Sequence, residues 1–464
     1  MAEHEASEEP AAEVRDAAKS LDLCSDVLEM SLREGATCAE VLLHEGLEFS
    51  TAIRLGNVEK LQQANFRKLG VRVFAGGRTA VSATSDFSVS TLKGIIRDTI
   101  DMARMAGEDR SACLPTEDTY NRPVQSLEIC FPASSDLAAG TKVEMARRCE
   151  RAALAHDPRI SNSEGSGFSD SLLQISYANT VGARSSYRRT LASLWAAPLA
   201  EMNGQKQRDS WLTAHPDISR LQSPEGVGME AARRALRRLG ARKVVTCEVP
   251  VVFDPRASAA LLKHIAESVS GTALLRKASF LMDKLGQQVA SPLVTMCDDA
   301  LLPFGLASRP FDAEGIPSQM NTVIRSGVLE SYLLDWYAAR RLGLRSTANS
   351  NREPHGGPSS GPSNFHVAPG NATPDEIIAS VRKGLFVTEL IGFGVDIVSG
   401  NYSQGAAGLW IENGRLAFPV EEVTIAGNLK DMLMDVEAVG NDPVILAETF
   451  APTLMISKMV VSGN

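Results

Sequence analysis
The sequence holds no CxxC pair. Its seven cysteines, Cys24, Cys38, Cys113, Cys130, Cys149, Cys247 and Cys297, are scattered and odd in number. That spacing supports neither a disulfide framework nor a thiolate zinc site, so buried free thiols in a reducing compartment are expected. Long apolar runs are missing too: no stretch approaches the roughly 18 uninterrupted apolar residues of a membrane-spanning helix. The opening MAEHEASEEPAAE has no basic segment followed by an apolar run, so neither a signal peptide nor an anchor is expected. A cytoplasmic location follows as the default. Positive charge is also short. Against 56 acidic residues stand 47 Lys and Arg, a formal charge of −9, which argues against a sequence-independent nucleic-acid binder. There is no GxxxxGK[ST] loop to cradle nucleotide phosphates. Gly165-Ser166-Gly167, between Glu164 and Phe168, lacks the strand–turn–helix setting of a nucleophile elbow and reads as a turn.

What is present is an ordinary globular composition, 44% apolar and 22% charged, on a chain long enough for two or three domains. The pattern indicates an α+β fold: an N-terminal mixed region with antiparallel hairpins, then a large antiparallel β-rich C-terminal domain. Four segments are expected: a disordered acidic lead over residues 1–12, an N-terminal α+β domain over 13–120, a central domain over 121–240, and the C-terminal domain over 241–464. Helical periodicity is expected from Ala11 to Glu34, Ser88 to Ala106, Thr141 to Ala155, Glu225 to Leu239, Ala257 to Val269 and Thr373 to Lys383. Strands are expected at Ala39–Leu43, Glu48–Leu55, Gly70–Phe74 and Thr79–Thr84, and again across Ile160–Leu194 and Lys243–Phe253. Asn413-Gly414 gives the strongest hairpin signal. The basic run Arg233-Arg234, Arg237-Arg238, Arg242-Lys243 suits a solvated face on a helix ending at Gly240. Residues 349–362, rich in Gly, Pro and Ser, read as a surface loop or a lid.

Among the seven histidines there is no HxH, HxxxH or HExxH pair of the kind a helix-borne zinc site needs. His264 falls within the helix expected at Ala257–Val269, with Glu267 three residues on along the same face. Such a pair is general acid–base machinery or a structural histidine with a hydrogen-bonding partner.

Four ordered blocks then resemble a known family: GVRVFAGGRTAVSATSDFS at 70–88, LLKHIAESVSGTALLRKASFLMDKLGQQV at 261–289, VIRSGVLESYLLDWYAARRLGL at 323–344, and LIGFGVDIVSGNYSQGAAGLWIENGRLAFPVEEVTIAGNL at 390–429. Together they are similar to the TldD/PmbA metallopeptidases, and the resemblance runs from about residue 25 to the C-terminus. The resemblance implies two kinds of subunit that pair as a heterodimer around a proteolytic cavity. The TldD kind carries an HExxxH helix, a zinc ion and a later cysteine ligand; the TldE (PmbA) kind shares the fold without the metal site. On this chain His264 matches the first histidine, Ile265 stands for the glutamate and Val269 for the second histidine, and no cysteine follows Cys297. The resemblance therefore implies a TldE-type subunit with no zinc of its own, zinc being expected in the TldD-type partner, and with unfolded or modified peptides as substrates. Gly400, Asn401, Ser403 and Gly405 are candidates for a substrate-facing wall, or simply build turns. Two alternatives stay open: an autonomous homodimeric hydrolase using His264 and Glu267, and a peptide-binding or regulatory module.

Overall fold
The computed structural model describes residues 16–463; the acidic lead and the expected helix start at Ala11 lie outside the described residues. Helix α1 (Ala17–Arg33) is capped by Asp16, whose carboxylate accepts the Ala18 N–H at 3.2 Å. Strands β1 (Cys38–Arg54), β2 (Asn57–Ala75) and β3 (Arg78–Thr84) form a meander. Gly76 and Gly77 turn its second hairpin at φ 60° and 74°, a conformation that favours glycine. Helices α2 (Val89–Met105) and α3 (Ala139–Ala155) follow, then β4 (Ile160–Asn179), β5 (Arg184–Met202), β6 (Gln205–Arg208), β7 (Trp211–His215) and α4 (Pro224–Leu236). These strands form one antiparallel sheet in the order β3-β2-β1-β4-β5-β6, with β7 also paired to β5. Strands from residues 38–84 and from 160–215 thus share a single sheet.

Side chains alternate across a sheet, which fixes what each face meets. Odd-numbered Val41, Leu43, Leu69, Val71 and Val73 are buried under α1 and α2 with Val27 and Ile96. Phe49 and Ile53 extend the same face beneath α3 and α4. The even-numbered face carries Glu40, Leu42, His44, Gly70 and Arg72, and meets the C-terminal half of the chain.

In that half come β8 (Cys247–Phe253), α5 (Pro255–Ser268), α6 (Gly271–Leu275), β9 (Met296–Asp299), β10 (Met320–Arg325), β11 (Val328–Leu329) and α7 (Trp336–Leu342). Next are β12 (Ser350–Asn351), β13 (Ser359–Ser360), β14 (Phe365–Val367), α8 (Pro374–Ser380) and β15 (Lys383–Ile391). Then follow β16 (Asn401–Glu412), β17 (Arg415–Asn428), α9 (Leu429–Met434), β18 (Val436–Val439), β19 (Thr449–Phe450) and β20 (Leu454–Ser462). A six-stranded sheet runs β17-β16-β15-β8-β20-β18, and a β17–β20 pairing closes five of its strands into a ring. A five-stranded sheet runs β11-β10-β9-β14-β19. Val251, Val387 and Ile456 of the ring and Met296, Val323 and Val367 of the second sheet join Leu261 and Ile265 of α5 in one core. The β16–β17 hairpin turns at Asn413-Gly414 with φ 50° and 74°, as its sequence signal demands. The fold is α+β.

Four expectations need correction. β1 is one 17-residue strand where two were expected; the polar His44-Glu45-Gly46 interrupts the hydrophobic pattern, but β2 and β4 pair that stretch on both sides. Gly165-Ser166-Gly167 lies inside β4 at a bulge between Ser163 and Ser166, with Gly165 at φ 124°. The basic run is a solvated face only in part: Arg233 is exposed, whereas Arg234 is buried, bonded to Asp254 at 3.1 Å and 3.5 Å from Asp209. Burial also pushes the half-buried Arg237 down to about 10. All seven cysteines are free, but Cys24 and Cys149 alone are buried. No helix among the described residues is long and apolar enough to cross a membrane.

Candidate functional site
Helix α5 begins at Asp254, whose carboxylate accepts the Ala257 N–H at 2.9 Å, with Pro255 at its first position. Its buried face carries Leu261, Leu262, Ile265 and Ala266. Ile265 is 1% exposed and Val269 fully buried. Ile265 borders an apolar void of about 20 Å³ walled by Leu261, Leu262, Met296, Val367 and Ile456. His264 is half-buried, and its ring makes no hydrogen bond among the described residues; burial lowers its pKa while Glu267 opposes the shift. The structure thus brings His264 near Glu267 without bonding them. A zinc ion does not fit these residues: the two positions that would supply a base and a second ligand offer alkyl groups to a hydrocarbon core. Among the described residues no three His, Cys, Asp or Glu side chains converge to hold a metal.

The other sequence candidates sit at the start of β16. Gly400 has φ 86°, and a Cβ there would lie 2.6 Å from the Asn428 Oδ1. The Asn401 side chain accepts from Asn428 Nδ2 at 3.2 Å, and the Ser403 N–H donates to the Gly394 carbonyl at 2.7 Å. Gly405 pairs with Ile391 on one side and Thr424 on the other. The strand's backbone is engaged on both edges, so these glycines build a turn and close contacts. Asn401 and Ser403 are the exposed members of the group.

Sequence reading missed one spelling of Gly-x-Ser-x-Gly, from Gly357 to Gly361. Ser359 there donates to the Asn351 carbonyl at 3.3 Å within the two-stranded β12–β13 ribbon. That is not a strand-to-helix elbow, and no histidine hydrogen-bonds this serine among the described residues.

The densest polar chemistry lies elsewhere, on the even-numbered face of the N-terminal sheet. Glu40 is fully buried; it accepts Arg72 at 3.1 Å, Arg352 at 2.6 Å and the Tyr177 hydroxyl at 2.7 Å. Burial opposes its charge, but Arg352 and Arg72 hold its pKa below the usual carboxylate range. Beside it, Asp312 accepts the N–H groups of Glu314 and Ile316 at 3.0 Å and of Ser350 at 3.1 Å. Burial lifts Asp312 to about 6 in spite of Arg309. Glu314 accepts the Trp336 N–H at 2.9 Å; burial and the carboxylates of Asp312, Asp335 and Glu40 raise its pKa well above the usual carboxylate range, with Arg72 opposing them.

This cluster borders a cavity of about 760 Å³ between the sheet and residues 306–313, 351–353 and 446–448. The cavity was not foreseen from the sequence either, although two charged residues inside apolar strands, Glu40 and Arg72, are a signal that a reader can find. They are register partners across β1 and β2.

An α+β scaffold in which helix α5 packs against a closed strand ring and a second sheet carries the four segments that resemble the TldD/PmbA metallopeptidases. Family models confirm the resemblance. The PmbA/TldA metallopeptidase domain 1 matches residues 39–103, the central domain 132–239 and the C-terminal domain 246–463. Metalloprotease PmbA of Escherichia coli O157:H7 is 34% identical over 92% of each chain. A proposed modulator of DNA gyrase from Bacteroides thetaiotaomicron superposes with a TM-score of 0.89 at 28% identity, covering 96% of this chain and 99% of its own. TldE from Thermococcus kodakarensis shares the fold, with a TM-score of 0.87 at 19% identity over 95% of this chain and all of its own. The chain belongs to the TldD/PmbA metallopeptidase family and is of its PmbA/TldE type.

Proposed function
We propose that the chain is the non-catalytic subunit of a TldD/TldE-type metallopeptidase that works in the cytoplasm, and that it shapes and gates the cavity where peptides are cut. The TldD-type partner supplies zinc, the activating glutamate and the hydrolytic water. Substrates are unfolded or modified peptides. One observation carries this reading: Ile265 and Val269, where the resemblance expects a base and a ligand, are buried alkyl groups. Isoleucine accepts no proton and valine donates no lone pair to zinc, so hydrolysis by this helix lacks its parts. No hydrogen bond joins His264 to Glu267, which gives no support to autonomous acid–base chemistry.

Co-expression with a TldD-type protein tests the proposal. A stable complex is expected, with zinc bound in the partner and chelator-sensitive cleavage of unstructured peptides, and His264→Ala should leave that rate unchanged. Hydrolysis by the purified, zinc-free chain alone, lost in His264→Ala, would sink it.

A further inference from the structure
The cavity between the N-terminal sheet and the C-terminal half contains basic groups that the protein leaves unsatisfied. Arg352, whose side chain is 2% exposed, gives one nitrogen to Glu40, while its Nε and Nη2 are buried with no hydrogen-bond partner. Arg309 repeats the pattern: it donates through Nη1 to Asn351, and its Nε and Nη2 are likewise buried and unpartnered. The unpaired edge is in both cases the parallel Nε and Nη2 pair that grips a carboxylate in bidentate fashion. It is packed against protein, a donor edge without an acceptor is costly, and both arginines line the cavity. Arg189 of β5 lines the same cavity, half-buried, with no carboxylate in ion-pair reach among the described residues.

The acidic groups that face these arginines do not answer them all. Asp312 is committed to three backbone N–H donors, while Glu353 and Glu448 stand exposed at the rim. The Glu353 carboxylate lies 3.7 Å from His44. His44 registers the resulting field: burial first, then Arg189, Arg352 and Lys68, push its pKa down to about 4. Leu42, Ile175, Leu191, Leu212 and Phe311 make the rest of the wall apolar.

We propose that this cavity is a carboxylate-binding subsite for peptides, in which Arg189, Arg309 and Arg352 hold the carboxylate and the apolar wall takes the neighbouring side chain. The assignment rests on the peptide-handling role above and names the group recognised. The carboxylate belongs to the chain end or to an Asp or Glu side chain.

The test uses the full chain, alone, and fluorescence anisotropy. Three labelled peptides of one sequence ending in Ala-Leu are compared: the free acid, the C-terminal amide, and the amide carrying one internal Glu. The free acid, the Glu-bearing amide or both should bind at least about tenfold more tightly than the plain amide, and which of them does so identifies the source. Arg189→Gln and Arg309→Gln should each remove most of that preference. Arg352→Gln adds a third arm if it folds; since its loss strips a partner from Glu40, the first two variants decide the outcome. Equal affinity for acid and amides, or a preference that survives both variants, overturns the proposal. So does competition by inorganic phosphate far stronger than by acetate. The partner's peptidase rate is read separately. Stimulation without carboxylate preference removes this site alone, whereas carboxylate preference without complex formation or stimulation removes the subunit role and leaves the site.

Discussion
At His44, burial and nearby cations act in the same direction, and the consequence is a definite pH dependence. An unfolded chain protonates this imidazole near 6.5, whereas the folded chain resists until about 4. Between those values the unfolded state binds more protons, so stability rises with pH there and is lost as pH falls. Asp312 has the opposite slope: lifted to about 6, it costs the native state more as pH rises from about 4 to 6. Comparison with a single variant isolates the histidine. His44→Gln should remove an acid-side loss of about 2–3 kcal/mol between pH 6.5 and 4, read from urea midpoints across that range. Gly70 gives a second residue-level prediction. A Cβ on it would lie 1.8 Å from the Pro354 carbonyl, so no side chain fits between β2 and the 352–356 segment without moving backbone. Gly70→Ala should cost about 1–3 kcal/mol and speed amide exchange in that segment, whereas Gly94→Ala, with open space around it, should not destabilise.

At the scale of the element, α5 turns Ile265 and Val269 into a hydrocarbon core. Restoring the motif should fail. Ile265→Glu would bury a charge beside Leu261, Leu262 and Met296, and an unpaired buried carboxylate costs roughly 3–5 kcal/mol. The expected outcome for Ile265→Glu with Val269→His is a lower Tm, with no zinc retained after gel filtration. Zinc bound at one equivalent with unchanged Tm would refute this. Elements with strong local signals were legible beforehand: the Asn413-Gly414 and Gly76-Gly77 turns, and helices with Pro or capping residues at their starts. The 349–362 stretch shows where legibility ends. Its polarity suggested solvent, but Asn349 is buried, donating to Asp298 at 2.6 Å, and Arg352 is seated on Glu40. A polar residue is readable as exposed only until a distant partner satisfies it, and Arg352 and Glu40 lie 312 positions apart. For that reason His264 was visible in the sequence and the arginine-lined cavity was not.

At the scale of the whole molecule, two polar seams join the N-terminal sheet to the C-terminal half. One is Glu40 with Arg352, on the face that also presses Gly70 against Pro354. The other sets Arg234 of α4 against Asp254 at 3.1 Å, and Asp209 against Arg256 at 3.1 Å. Asp254 also caps α5, so it serves the seam and the helix at once. Each half has its own apolar core, and these seams help decide whether the halves unfold together. Breaking a buried pair by removing one partner costs roughly 3–5 kcal/mol because the other charge is left behind; the lost cap at Asp254 adds about 1 kcal/mol. The wild-type chain should unfold in one transition, with tryptophan fluorescence and far-UV circular dichroism coincident. Glu40→Gln and Asp254→Ala should each lower the midpoint and keep the probes coincident, since one seam remains. The double variant should separate them, fluorescence at Trp211 in the sheet moving apart from Trp410 in the strand ring once single-tryptophan versions are compared. A double variant that still unfolds in one step would show that the contacts left between the halves suffice to couple them: apolar ones such as Leu42 and Tyr177 against Phe311, and the Asp209–Arg256 and Arg238–Glu389 pairs.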